Sequence, residues 1–187
     1  MTPMSAQPTL MTADELLRLP RGTWRHELVG GALRRMTPAG HIHGMIAARV
    51  GARLLPFVEE HRLGEVYAAE TGFLLRRSPD TVRAPDAAFV RRERLAAMTL
   101  QPEGYFPGPP DFAVEVLSPS DTDRDVRAKI VDWLDCGCQA VLVLDPTDRT
   151  ARVHRPGRAA ESFTSQDLVG IPELLPGWSL NLADLFR

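Results

Sequence analysis

Residues 109–120 read PPDFAVEVLSPS, and Glu115 stands in the middle of an otherwise apolar run of Phe112, Ala113, Val114, Val116 and Leu117. The run has the composition of a buried strand, where a carboxylate is costly to desolvate. Such a group survives by pairing with a cation, binding a metal or staying protonated. Downstream, Val126, Ile130, Trp133 and Leu134 recur at helical spacing and predict a helix over about 121–136. Ser120 and Asp123 fit S-x-x-D and place its cap at Ser120. AVLVLDP, at 140–146, then predicts a second strand. Strand, helix and strand in that order make a βαβ unit, whose right-handed crossover leaves the two strands parallel.

Upstream, Thr12 and Glu15 form a T-x-x-E capping box that predicts a short helix. Gly30 and Gly31 divide TWRHELVGGALRRM into the arms of a hairpin, with Glu27 in the first arm. From about Ile42 to His61, apolar residues at helical spacing predict the longest helix, kinked or ended by Pro56. EVYAAETGFLLRR and VRAPDAAFV read as the two strands of a second hairpin, joined through Ser78, Pro79 and Asp80. Residues 91–110 have loop composition, and TARVHR predicts a further edge strand. Asn181 and Asp184 predict a closing helix. Hairpins followed by a crossover imply an α/β or α+β domain, a mixed sheet with helices packed on it, and the 187-residue length fits one domain over 1–187.

The net charge of -2 advertises no broad basic surface of the kind that grips nucleic acid. No run reaches the ~18 apolar residues of a membrane span, and the opening MTPMSAQPTL lacks the features of an export signal, so a cytoplasmic protein is expected. Cys136 and Cys138 are too close for an ordinary disulfide and too few for a zinc site, which makes them packing residues. Of the 22 basic residues, Lys129 is the only lysine.

Strand alternation places Asp86 with Val82, Ala84, Ala88 and Val90, and Glu115 with Ala113 and Leu117. If the two strands are neighbours, about 4.8 Å apart, both carboxylates can meet one ion. Lys129 borders the inward stripe of the helix, and its stem can carry the ammonium to the acids. Two carboxylates and one lysine favour a hard divalent cation such as Mg2+. The competing reading is a structural ion pair between Glu115 and Lys129. Glu27 alone is an exposed hairpin acid, and His41 and His43 at a helix start point in different directions. Trp133 and Trp178 sit among apolar residues as core anchors.

At APDAAFV, FAVEVLSPS and RAKIVDWL the sequence resembles the PD-(D/E)XK nuclease superfamily, and within it the Uma-two family of restriction-endonuclease-like proteins. RHELVGGALRRMTPAGHIHG and LLPGWSLNLADLF resemble that family's opening and closing blocks. The resemblance implies a restriction-endonuclease-like mixed central sheet flanked by helices, with N-terminal hairpin additions. It makes Asp86 and Glu115 the metal-holding acids for Mg2+ or Mn2+, assisted by the Val116 carbonyl, and Lys129 the catalytic lysine. The superfamily's E-x-K would place that lysine at 117, where this chain has Leu117, so the role moves to the helix. Glu27 and His43 match further positions of the family's site. Where relatives have an aromatic pair before the last core strand, this chain has Gln139, Ala140 and Val141.

The implied activity is metal-dependent endonucleolytic hydrolysis of DNA, by a homodimer if two strands are to be cut. The alternative from another class is a catalytically silent nucleic-acid-binding or interaction protein on the same fold. A metal hydrolase of smaller phosphate esters is a third. Arginines in RRM at 34–36, LLRR at 74–77 and VRRER at 90–94 are candidate DNA-backbone contacts.

Overall fold

The structure is a computed structural model that describes residues 10–20, 25–99, 101 and 103–187. Residues 1–9, read above for an export signal, and Thr23 and Trp24 of the first hairpin arm lie outside the described residues.

Helix α1 (Ala13–Leu17) starts at the expected capping box: the Thr12 hydroxyl accepts from Glu15 N at 3.2 Å, and the Glu15 carboxylate accepts from Thr12 N at 2.7 Å. Thr12→Ala is expected to cost about 1 kcal/mol in urea unfolding. Ala13 and Leu16 pack with Leu28 and Val82. Leu28 belongs to β1 (Arg25–Val29), which turns into β2 (Ala32–Met36) through Gly30 and Gly31, at φ 56° and 78°. Positive φ at both positions is what a tight two-residue hairpin turn demands.

Helix α2 (His41–His61) buries Ile46, Val50, Leu54 and Val58 along one stripe. Pro56 lies inside it without ending it, contrary to one of the expected outcomes. The proline removes a single N–H, whereas the buried stripe continues through Leu54 and Val58 on both sides of it.

The two long strands expected next are each broken. They form β3 (Gly64–Ala68) and β4 (Phe73–Arg76), then β5 (Thr81–Arg83) and β6 (Ala87–Arg91). β4 and β5 pair in one sheet and β3 and β6 in another, so the hairpin passes from sheet to sheet at its waist. Pro85 cannot donate to a ladder at that crossing. Just before β4, Gly72 lies so close to the Tyr105 ring that a Cβ would come within 2.4 Å of a ring carbon.

Residues 91–110 are not all loop: they contain α3 (Arg92–Ala96) and the short β7 (Phe106–Pro107), which pairs with β4 in parallel. The expected βαβ unit follows, as β8 (Phe112–Val116), α4 (Asp123–Asp135) and β9 (Ala140–Asp145), with β8 and β9 parallel. Thr122, not Ser120, caps α4 and accepts from Asp125 N at 3.2 Å. Asp121 holds Ser118 N at 2.8 Å in a separate turn, which delays the helix by two residues.

Strand β10 (Thr150–His154) is interior rather than an edge, because β11 (Glu161–Phe163) covers its far side. A small ladder, β12 (Leu168–Gly170) with β13 (Ser179–Asn181), was not anticipated. Asn181 accepts from Asp184 N and opens α5 (Leu182–Leu185) as expected.

The sheets run β2-β1-β5-β4-β7 and β11-β10-β9-β8-β6-β3. One face of the six-stranded sheet, with Phe112, Val114 and Leu142, packs in one cluster with Ile46, Val50 and Leu54 of α2. The other, with Ala113, Val141 and Val143, packs with Ile130 and Trp133 of α4. Trp178 is also a core residue, and its Nε1 donates to the Arg53 carbonyl at 3.2 Å. At the start of β8, buried Asp111 accepts from Arg91 N and Nε, Arg94 Nη1 and Gln139 Nε2 at 2.9–3.3 Å.

Candidate active site

Strands β6 and β8 are antiparallel neighbours, with Ala87 opposite Val114 and Ala88 opposite Ala113. Continuing that register sets Asp86 opposite Glu115, and Asp86 N extends the ladder by donating to the Val114 carbonyl at 2.9 Å. The adjacency that the paired-acid reading required is therefore present. Asp86 Oδ2 accepts from Val116 N at 2.7 Å and lies 3.2 Å from His43 Nε2. His43 comes from the first turn of α2, and the hydrogen bond to Asp86 is the largest cause of its raised pKa, against the effect of burial.

Glu115 projects to the α4 side, 7% exposed at its side chain. Its Oε2 accepts from Lys129 Nζ at 3.1 Å and its Oε1 from Trp133 Nε1 at 2.8 Å. The residues at 129 and 133 are one helical turn apart, so both donors face the same strand. Burial pushes the Glu115 carboxyl upward most, the Lys129 charge pulls it back, and the charges of Asp86 and Glu27 push it up again. Lys129 is raised chiefly by Glu115, against its own desolvation. Val116, Asp121, Asp125 and Val126 line a small cleft with this pair.

Glu27 is not the exposed acid that its hairpin position implied. It is 4% exposed at its side chain, accepts from Arg83 Nη1 at 2.7 Å and holds Ala84 N at 3.1 Å. Arg83 in turn donates through Nε and Nη2 to Asp132 of α4 at 3.0 and 2.7 Å. This Glu27–Arg83–Asp132 bridge ties the five-stranded sheet to the helix that carries Lys129. Sequence reading missed Arg83 and Asp132, and took Trp133 for a packing residue alone. The available signal was an arginine in the buried run Thr81–Val82–Arg83, the same anomaly that singled out Glu115.

Asp86, Glu115, Lys129 and His43 thus meet in one region, with Val116 between the two acids. Several candidate DNA contacts are otherwise occupied: Arg76 pairs with Asp132, Arg77 with Asp14 and Asp80, and Arg91 and Arg94 with Asp111. Cys138 is buried and its thiol is pushed up to about 12 by burial, in keeping with a packing role.

Among the described residues, no three His, Cys, Asp or Glu side chains form a group able to hold a metal by themselves. The donor chemistry nevertheless fits a hard divalent ion, because Mg2+ commonly takes one or two carboxylates and completes its shell with carbonyls and water. Asp86 Oδ1 takes no hydrogen bond among the described residues, and the mutual repulsion of Asp86, Glu115 and Glu27 is what such an ion would relieve.

A mixed sheet flanked by helices, with two acids on adjoining strands and a lysine on the crossover helix, defines a restriction-endonuclease-like fold. The chain belongs to the Uma2 family, whose description is "Putative restriction endonuclease" and whose model matches residues 13–183. It is also similar to the crystal structure of "a putative nuclease belonging to DUF820" from Anabaena variabilis ATCC 29413. That likeness has a TM-score of 0.79 and 26% identity, and covers 94% of this chain and 97% of the other. No curated protein sequence matches the chain. Among the described residues, no helix is long and apolar enough to cross a membrane.

Proposed function

We propose that this chain is a cytoplasmic, metal-dependent DNA endonuclease, acting as one domain and as a homodimer. The observation that carries the reading is the meeting of Asp86, Glu115 and Lys129 on one face of β6, β8 and α4. Asp86 and Glu115, with the Val116 carbonyl, would hold Mg2+ or Mn2+. When bound, the ion would activate water and neutralise charge on the phosphate and leaving oxygen.

The chain's own groups have separable tasks. Glu115 keeps Lys129 fully charged at neutral pH, so the ammonium can hold a water or meet developing negative charge but cannot serve as a base. Trp133 fixes the second Glu115 oxygen and so sets the carboxylate plane. His43 and Val116 N both hold Oδ2 of Asp86, which leaves Oδ1 as the oxygen open to the ion.

The test is nicking of supercoiled plasmid by the purified chain. Nicking is expected with Mg2+ or Mn2+ and not with EDTA, and Asp86→Ala should abolish it. Equal nicking by Asp86→Ala would overturn the assignment. The silent binding protein has one observation in its favour, that both Glu115 oxygens are already taken by Lys129 and Trp133. Metal-independent DNA binding without nicking would select it.

A further inference from the structure

We propose that Arg34 binds a backbone phosphate of the substrate beside the cleaved bond, a role that rests on the nuclease reading above. Arg34 sits on β2 directly opposite Glu27 of β1. Side chains of directly opposed residues leave a sheet on the same face. That face is the active-site face: Glu27 turns to Arg83 and through it to α4, and it lies close enough to Glu115 and Lys129 to shift both. The opposite face carries Leu28 and Val82, which pack against α1, and strand alternation sends Arg35 to that side.

Arg34 is exposed, and no carboxylate or other acceptor holds it among the described residues. In that respect it differs from three arginines near the site. Arg83 is spent on Glu27 and Asp132, Arg76 on Asp132, and Arg25 of the same hairpin on Glu70 at 3.1 Å. Arg124 and Arg127 of α4 are exposed and also without a partner among the described residues. At about 100° per residue they lie roughly 140° and 160° around the helix from Lys129, and so turn away from it. The buried and half-buried charges at the site are four carboxylates, Glu27, Asp86, Glu115 and Asp132, against Arg83 and Lys129. A polyanion approaching them needs an unspent cation at the rim, and a free guanidinium offers a phosphate two parallel donors. Arg92, also exposed, follows the end of β6 remote from Asp86, beside Leu63, and does not meet this requirement.

The experiment measures affinity of the full chain for a fluorescent DNA duplex across a salt series, with Ca2+ in place of Mg2+, alongside plasmid nicking with Mg2+. Arg34→Ala is expected to weaken binding about tenfold at low salt. It should also reduce the slope of log affinity on log salt by about one. Arg34→Lys should keep the slope with intermediate affinity. Arg62→Gln removes the same charge at the far end of α2 from His43 and should change neither quantity. Wild-type affinity and slope in Arg34→Ala, with nicking by the wild type intact, would overturn the role of Arg34 and leave the nuclease reading standing. A wild type that neither binds the duplex nor nicks plasmid would remove both.

Discussion

Lys129→Met should lose about 3–5 kcal/mol of stability at neutral pH, because it leaves a buried carboxylate without its cation. Glu115 would keep only the Trp133 hydrogen bond, and its side chain, 7% exposed, is too enclosed for water to replace the ammonium. The group can escape by protonating, which gives the loss a pH signature. A carboxyl whose folded-state pKa lies above its unfolded one binds more protons when folded, so stability falls as pH rises from the ordinary range through the raised value. Burial already pushes Glu115 upward, and losing Lys129 removes the largest opposing influence. The deficit relative to wild type should therefore be small near pH 4 and widen above the ordinary glutamate value of about 4.3. Urea unfolding across that range measures it. The double variant Lys129→Met/Glu115→Gln should recover much of the loss, and a deficit that is flat with pH would refute the pairing.

Arg83→Leu is expected to be comparably severe, at about 3–5 kcal/mol, since it strands Glu27 and leaves Asp132 with Arg76 alone. Arg83→Lys should recover less than half. One guanidinium reaches Glu27 through Nη1 and Asp132 through Nε and Nη2, a fork that a point-charge ammonium cannot reproduce. Thermal unfolding gives the stability. Recovery to wild type by Arg83→Lys would show that charge, not the fork, is what the site needs. A second consequence should appear in activity at temperatures where the variant stays folded. Glu27 holds Ala84 N, two residues before Asp86, so loosening Glu27 should lower nicking as well.

The parts of this site that were legible from sequence are those fixed by local pattern. Glu115 inside an apolar strand, the following amphipathic helix and the solitary lysine on its border are all visible within a stretch of some twenty residues. Asp86 was legible as its partner only on condition that the two strands adjoin, and the pairing of β6 with β8 meets that condition. What was illegible depends on where one strand crosses from sheet to sheet. Glu27 reads as exposed while its hairpin stands alone, and becomes buried once Leu28 pairs opposite Val82 and brings Arg83 over it. Trp133 gave its apolar character to the pattern but not its N–H, whose direction depends on how α4 lies on β8. Of the two outcomes read for Pro56, an end to the helix is the one that fails, because a continuous buried stripe carries α2 past it.

Asp111 bears on the aim of Glu115 although the two never touch. Its carboxylate ties the entrance of the central strand to Arg91, Arg94 and Gln139, and its carbonyl accepts from Gln139 N and Ala140 N. Sliding the strand by one position would invert every side chain along it, sending Glu115 toward α2 and presenting an aliphatic group to Lys129. The tether forbids that slip, so the direction of the buried acid is fixed from the opposite end of its own strand.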